Sequence, residues 1–335
     1  MQPADGGMSL PPGITVRAAT PEDDPAIVGL LCETLGWVDD ARHRALFAWK
    51  HRENPFGPSP GWVALDELGL VGSRTFMRWS FTAGGERVSA VRAVDTATHP
   101  RARGKGVFRA LTTRGVEEMT SAGVGWVFNT PNGQSAPGYL SMGWKEMGRL
   151  PLSVRPAGIK ALRRLADARQ PADLWSLPTI AGEDAGSVLD DGDPLGELLD
   201  AQPGWSGVRT ERAADYLRWR YGSGPVSYRA ILGGATVRDG VVFFRVRNRG
   251  PAREAVIADL LVPRGDRARR AAGRLCQRAL DASGADYEVT LGSRRPPGWL
   301  PLPRQGPLLT WRALAREDAP AVDEWALSTG DVELF

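Results

Sequence analysis

The sequence predicts an α/β (α+β) fold in which helices flank a central, mostly antiparallel mixed sheet, and it predicts this architecture twice. Residues 13–130 follow the order strand, helix, several strands, helix, strand. A similar order returns in the second half, from about residue 226 onward. The length of 335 residues suits two ordinary domains, each with its own core.

The first half can be followed element by element. A strand, GITVRAA, leads to a helix from Thr20, where a capping residue, a proline and acidic residues stand in the order that a helix start prefers. A loop at 54–60 precedes three alternating stretches that predict consecutive antiparallel strands: GWVALDE, LGLVGSRTFMRWSFTA and ERVSAVRAVDTAT. Apolar residues at helical spacing predict a helix that ends at Gly123, and VGWVFNTP follows as a buried strand.

Composition narrows the class of protein. An apolar share of 42% and a charged share of 24% are typical of a soluble globular chain. No apolar run approaches the roughly 20 residues of a membrane span, and the start lacks an export signal, so we expect no stable membrane insertion and a cytoplasmic location. A net charge of +3 without a dense basic block argues against nucleic acid as a partner. Cys32 and Cys276 have no partner at metal-ligand spacing, so no metal site is expected.

Changes in composition along the chain suggest where domains begin and end. We predict a flexible leader at 1–12, a catalytic domain at 13–150, a linker at 151–203 and a second domain at 204–335. The linker combines a basic helix, GIKALRRLADARQ, with an acidic loop, GEDAGSVLDDGDPLGE. The sequence gives no indication of the oligomeric state.

The loop from His99 to Gly106 joins a predicted strand directly to a helix. Its glycines free backbone N–H groups, and the helix N-terminus adds partial positive charge, so the loop can cradle a phosphate or pyrophosphate. Arg103 and Lys105 would add charge at its rim. A turn of this kind is often only a turn, and the spacing fits neither a P-loop nor a dinucleotide fingerprint.

The segment THPRARGKGVFRAL resembles motif A of the Gcn5-related N-acetyltransferase (GNAT) superfamily, Arg/Gln-x-x-Gly-x-Gly/Ala. Arg103 takes the first place, Gly106 the fourth, and Phe108 stands where the family usually has Gly or Ala. The resemblance implies acetyl-CoA as acyl donor, with the pantetheine along the strand and the pyrophosphate on the loop. The residues implied to bind it are Thr96, Ala97, Thr98, Arg103, Gly104, Lys105, Gly106, Val107 and Phe108. One strand amide would polarise the thioester carbonyl.

A second match begins 26 residues after Gly106, because Asn132-x-x-Ser135-x-x-x-Tyr139-x-x-x-Gly143-Trp144 resembles motif B of the same superfamily. Ser135 suits the N-cap of a short helix that Gly143 can end. The resemblance implies that Tyr139 is the general acid and that Asn132 and Ser135 contact the cofactor. The alternatives are that Tyr139 only packs and that Asn132 only shapes a turn.

The general base is harder to predict. Asp95 precedes the strand residues of the donor site and is the nearest carboxylate in the sequence. The alternative is that Asp95 is a structural acceptor for loop amides. His99 precedes a proline and is expected to shape the turn.

The second copy aligns Pro263 with Pro100, but its loop lacks Gly-x-Gly and puts Asp266 where a phosphate would lie. We therefore expect no CoA there and a degenerate GNAT-like domain on the acceptor side. The C-terminal residues Asp331–Phe335 are a further candidate source of a carboxylate in the active cleft. Trp49, Trp62 and Trp79 could border an acceptor groove.

The predicted function is N-acyl transfer, of an acetyl or short acyl group, from acyl-CoA to a primary amine of a small molecule in a ternary complex. An amino sugar or a natural-product amine would suit as acceptor. Two alternatives remain: a tRNA-dependent aminoacyltransferase of the peptidoglycan type, and a non-catalytic CoA-binding module.

Overall fold

The structure is a computed structural model that describes residues 10–168, 170–222, 224–292, 298–317 and 321–333. The first ten elements are β1 (Thr15–Ala18), α1 (Asp24–Leu35), α2 (Ala41–His51), β2 (Gly61–Asp66), β3 (Gly69–Ala83), β4 (Glu86–Thr98), α3 (Val107–Ser121), β5 (Trp126–Asn129), α4 (Ala136–Leu140) and β6 (Lys145–Arg149). The strand and helix order expected for the first half is present here.

The remaining elements in chain order are β7 (Leu152–Pro156), α5 (Ile159–Asp167), β8 (Glu183–Asp184), α6 (Ala185–Leu189), α7 (Gly192–Asp200), β9 (Val208–Thr210), α8 (Ala214–Leu217), β10 (Arg229–Leu232), β11 (Val241–Arg249), β12 (Ala252–Leu261), α9 (Ala268–Ser283), β13 (Tyr287–Leu291), β14 (Leu300–Pro301), β15 (Leu308–Ala313) and α10 (Thr329–Val332). No helix in the described ranges is long and apolar enough to span a membrane.

The described chain divides into two compact units. The first unit comprises 10–80, Val88–Met147 and 309–317, and the second comprises Phe81–Arg87, Gly148–Leu308 and 321–333. The predicted domain boundaries at 150 and 203 stay a prediction. The units are interleaved, which the sequence did not indicate.

The sheet of the first unit has the strand order β1-β2-β3-β4-β5-β15-β6. β1, β2 and β3 pair antiparallel, β4 and β5 pair parallel, and β15 pairs antiparallel with β5. The last residues of β3 belong to the second unit and pair there with β9. The predicted α/β class with a mixed, mostly antiparallel sheet is confirmed.

The sheet of the second unit has the order β14-β7-β13-β12-β11-β10-β8. β12 and β13 are parallel, whereas the other neighbouring strands pair antiparallel. Each sheet therefore contains a parallel pair, β4 with β5 or β12 with β13, and in each case a helix, α3 or α9, makes the crossover between the two strands.

Each unit has an apolar core between its sheet and the crossover helix. In the first unit α3 buries Val107, Leu111, Val116 and Met119, the residues that predicted its apolar face, against Trp62. In the second unit α9 buries Leu275 and Cys276 against residues of β11 and β12, including Val242, Phe244 and Ile257.

Two helical regions were not predicted. α2 buries His43, Lys50 and His51 beside Leu46 and Phe47, so its inward face mixes polar and apolar residues and shows no clean apolar period. The predicted acidic loop forms β8, α6 and part of α7, because leucines spaced through it, such as Leu189 and Leu195, are buried.

Gly115 in α3 tests the packing of the first core. A Cβ there would lie 2.7 Å from Trp62 Cζ3 and 3.0 Å from Phe76 Cε2. Gly115→Ala should destabilise the protein by about 1–2 kcal/mol, because overpacking outweighs the better helix propensity of alanine. Gly29→Ala in α1, where a Cβ meets nothing within 4 Å, is the control and should stabilise by up to about 1 kcal/mol. Urea unfolding would measure both, and equal effects of the two changes would contradict the packing.

Candidate active site

The glycine-containing loop between β4 and α3 is open. Gly104 and Gly106 have φ values of 74° and 78°, and a Cβ on Gly104 would meet no atom within 4 Å. Gly106 is also the N-cap of α3 and offers no side chain to its first-turn N–H groups. Arg103 and Lys105 are exposed, and neither forms an ion pair with a described carboxylate. These features fit a cradle for a phosphate-bearing group.

The strands beside this loop part from each other. β4 and β5 pair in parallel register only from Ala90 opposite Trp126 to Arg92 opposite Phe128. Beyond this point Asp95 has φ +45°, a left-handed conformation that is uncommon outside glycine but tolerated by aspartate. The predicted pantetheine-binding residues 96–98 therefore lie on the part of β4 that has no recorded pairing with β5.

Arg74 on β3 brings two predicted site residues together. Its NH1 donates to the Thr96 hydroxyl and, at 2.8 Å, to the Tyr139 phenol oxygen. Its Nε and NH2 donate to Thr112 Oγ1 at 3.2 and 2.8 Å. Arg74 was not predicted as a site residue. In the sequence it is distinguished only by its position within a long, largely apolar strand.

The charge of Arg74 has no carboxylate partner among the described residues. The residue is fully buried, and its guanidinium carbon lies 5.1–5.3 Å from the ring centroids of Phe76, Phe108 and Tyr139. Hydroxyl groups and aromatic faces solvate the cation without neutralising it. The site therefore presents a positive charge suited to an anionic or developing negative group.

Tyr139 is buried on α4. Because a guanidinium has no acceptor, the phenol oxygen must accept in the bond from Arg74, and its own proton remains available. No described residue is recorded as accepting that proton. The Phe108 ring contacts the Tyr139 ring edge-on at 5.5 Å, and a Cβ on Gly138 would lie 3.0 Å from Phe108 Cε1. The bulky residue in motif A thus packs under motif B.

Asn132 and Ser135 form the turn before α4. Asn132 Oδ1 accepts from the Gln134 and Ser135 backbone N–H groups and from the Ser135 hydroxyl, at 2.9–3.1 Å. Ser135 is at the N-cap position as expected, but its hydroxyl makes no cap bond to the helix. These contacts account for both residues as turn formers, and their predicted contact with a cofactor stays a prediction.

Asp95 lies in a buried cluster with Lys50 and His51, two residues of α2 that the sequence analysis did not identify. Lys50 Nζ lies 2.5 Å and His51 Nε2 2.8 Å from Asp95 Oδ2. His51 Nδ1 lies 2.9 Å from Ser59 Oγ. The partners of Asp95 are therefore side chains rather than the loop amides of the structural alternative.

The charges in this cluster follow from burial and pairing. Burial alone would raise the pKa of Asp95, but attraction to Lys50 and the hydrogen bond from His51 outweigh it and lower that pKa to about 2. Burial lowers the pKa of His51, which favours a neutral ring that donates from Nε2 to Asp95 and accepts from Ser59 at Nδ1. A carboxylate with such a low pKa is a weak base.

Other residues that the sequence analysis considered have structural roles. Trp49, Trp62 and Trp79 are at most 2% exposed, so they are core residues and do not border a groove. His99 Nδ1 accepts the Arg101 backbone N–H at 3.2 Å, which is the turn-shaping role expected of it.

The C-terminal segment is held inside the second unit. Asp331 is buried and accepts from Arg212 at 3.0 Å and from the Tyr216 hydroxyl at 2.8 Å. Glu333 pairs with Arg245 and Arg247. Both carboxylates are therefore committed to ion pairs, which argues against their use as catalytic groups. Leu334 and Phe335 lie outside the described residues.

A family model described as an acetyltransferase (GNAT) domain matches residues 15–147. Residues 15–147 therefore form a GNAT-type domain. The matched region contains the glycine loop, Arg74, Asp95 and Tyr139, so acyl transfer is the general activity of the domain that holds them. A search of curated proteins found no match.

Solved GNAT-fold structures resemble the chain over 90% of its length at low sequence identity. A GCN5-related N-acetyltransferase from Anabaena variabilis has 15% identity, a TM-score of 0.62 and 73% of its own chain covered. A probable N-acyltransferase from Enterococcus faecalis has 12% identity, a TM-score of 0.61 and 73% of its own chain covered. A GCN5-related N-acetyltransferase from Kribbella flavida has 13% identity, a TM-score of 0.57 and 72% of its own chain covered. These likenesses establish the fold.

The buried pairing of Asp95 predicts a dependence of stability on pH. The folded pKa of about 2 lies below the value of about 3.9 in an unfolded chain, so ionised Asp95 stabilises the fold above about pH 4 and this contribution is lost as the pH falls towards 2. Asp95→Asn should lower the free energy of unfolding at pH 7 by about 3 kcal/mol, because it leaves Lys50 buried without a counter-ion.

Urea unfolding between pH 2 and pH 7 measures this effect. The control is Asp66→Asn, which removes a partly exposed ion pair with Arg101 and should lower the stability much less than Asp95→Asn does. An Asp95→Asn protein as stable as wild type at pH 7 would contradict the assignment.

Proposed function

We propose that the protein is an N-acyltransferase that moves an acetyl or another short acyl group from acyl-CoA to a primary amine by direct attack in a ternary complex. A small-molecule amine, such as an amino sugar or a natural-product amine, is the proposed acceptor. The observation that carries the proposal is the Tyr139 phenol, which accepts from buried Arg74 and keeps its own proton to donate.

The residues present fit an acyl-CoA. The open loop at Gly104 and Gly106, with the uncapped N-terminus of α3, would hold the pyrophosphate, and Arg103 and Lys105 would add charge at its rim. Residues 96–98, which lie beyond the pairing of β4 with β5, would hold the pantetheine, and one of their amides would polarise the thioester carbonyl. Asn132 and Ser135 are proposed to border the pantetheine from the turn before α4.

Acyl-CoA supplies an activated thioester when it is bound. In the transfer an amide bond forms, the carbon–sulfur bond breaks, the sulfur takes a proton and the amine loses one. Tyr139 is placed to hold and donate that proton from its phenol oxygen. Arg74 adds a buried positive charge beside the same oxygen, where it favours negative charge that develops during the transfer.

We assign Asp95 a positioning role rather than that of the base. Its carboxylate is almost fully buried between Lys50 and His51, and its low pKa makes it a poor proton acceptor. By pairing with two residues of α2 it ties that helix to β4 at the point where β4 has its left-handed residue.

The glycine cradle can be tested by Gly106→Glu. The added side chain would bring bulk and negative charge to the proposed pyrophosphate site, so acetyl-CoA binding should weaken by at least about 100-fold. Gly265→Glu is a matched control in the second unit, because Gly265 also has a positive φ. A Cβ on Gly265 would meet no atom within 4 Å. Calorimetry should show wild-type affinity for this control.

Wild-type protein that fails to bind acetyl-CoA would exclude CoA-dependent transfer and leave the tRNA-dependent alternative. Binding without release of free CoA from any amine in a broad panel would instead favour the non-catalytic module.

The acid role can be tested by Tyr139→Phe. Loss of the donated proton should lower kcat about 100-fold or more while the Kd of acetyl-CoA changes less than about threefold. Tyr228→Phe is the matched control, because Tyr228 is also buried and accepts at 2.7 Å from a buried arginine, Arg220. It should keep the wild-type kcat. Full turnover by the Tyr139→Phe protein would show that another group is the acid.

A further inference from the structure

The second unit contains a cavity of about 380 Å³ that the acyl-transfer proposal does not use. β12 and β13 pair in parallel only from Glu254 to Val256, opposite Tyr287 to Val289. Directly beyond this pairing, residues 257–261 and 290–292 line the cavity. The volume falls within the range of about 300–1,000 Å³ typical of small-ligand sites.

The C-terminal segment forms another wall of this cavity. Ala326, Leu327 and Ser328 line it, and the next residue, Thr329, accepts the Leu291 backbone N–H at its hydroxyl oxygen, at 2.9 Å. The segment therefore contacts β13 just after that strand parts from β12. Stretches of chain that are distant in sequence therefore build the cavity.

One cation in the cavity lining has no described carboxylate partner. Arg209 donates to the Pro203 carbonyl oxygen at 3.0 Å and forms no recorded ion pair, whereas Arg212 is paired with Asp259 at 2.7 Å. Glu211 in the same lining is paired with Arg87 at 2.8 Å. Among the described charged groups of the lining, Arg209 is thus the one without an ion-pair partner.

The surroundings of Arg209 disfavour its positive charge. Burial, together with the nearby cations Arg212 and Arg264, lowers the pKa of Arg209. An anion bound beside the guanidinium would relieve this repulsion and could accept a charge-assisted hydrogen bond.

The rest of the lining is largely apolar. Leu199, Ile257, Leu260 and Leu327 contribute aliphatic side chains, and Cys276 contributes a buried thiol. Burial raises the pKa of the Cys276 thiol, so it remains protonated and acts as part of the apolar wall.

We propose that this cavity binds a small monocarboxylate with an apolar body, with the carboxylate on Arg209 and the apolar body against the aliphatic wall. The proposal does not depend on the acyl-transfer site in the first unit.

The test is calorimetry of the full-length protein with benzoate, hydrocinnamate and hexanoate, each beside its neutral primary amide. At least one carboxylate should bind saturably, and its amide should bind at least about 10-fold more weakly. Arg209→Gln should weaken binding of the carboxylate about 10-fold.

Two control variants make the result specific. Arg264→Gln removes a nearby exposed cation that is not in the lining, and Gly106→Glu alters the proposed acyl-CoA cradle; both should bind the carboxylate within about threefold of wild type. The proposal is overturned if no carboxylate of the set binds at millimolar concentration, if the amides bind equally well, if Arg209→Gln has no effect while its melting curve shows a folded protein, or if Gly106→Glu abolishes binding.

Discussion

In each unit two parallel strands pair over a short stretch and then separate, and the proposed sites of this protein depend on that separation. β4 and β5 pair over three residues and then separate, and β12 and β13 do the same in the second unit. Where backbone pairing stops, N–H and C=O groups need other partners, so the opening is suited to a ligand that can be held by the main chain. The proposed donor site and the proposed carboxylate cavity each begin at such an opening.

Arginine supplies the charge in both places, but it is used differently. Arg74 is fully buried and is held by hydroxyl groups and aromatic faces, which leave its charge uncompensated. In the second unit most buried arginines meet carboxylates, as Arg212 meets Asp259 and Asp331. Arg209 departs from that pattern. A cation without a carboxylate partner is costly to bury, and Arg74, which is fully buried, and Arg209, which is half-buried, each lie at a candidate site.

The motifs of the first unit could be read from the sequence because their chemistry is local. Gly104 and Gly106 are needed for positive φ, and Tyr139 stands at a fixed distance from the turn at Asn132. The partners of these residues could not be read in the same way. Lys50 and Arg74 are far from Asp95 and Tyr139 along the chain, and nothing local distinguishes them from surface cations.

The sequence by itself determined the α/β class, the glycine loop, the motif tyrosine and the absence of this glycine pattern from the loop after Pro263, because periodicity and turn chemistry act between near neighbours. Only the tertiary structure decided that Asp95 is a buried, paired carboxylate, that β15 joins the first sheet, and that Asp331 and Glu333 are held in ion pairs. These features depend on burial and on contacts between distant segments, which no local pattern encodes.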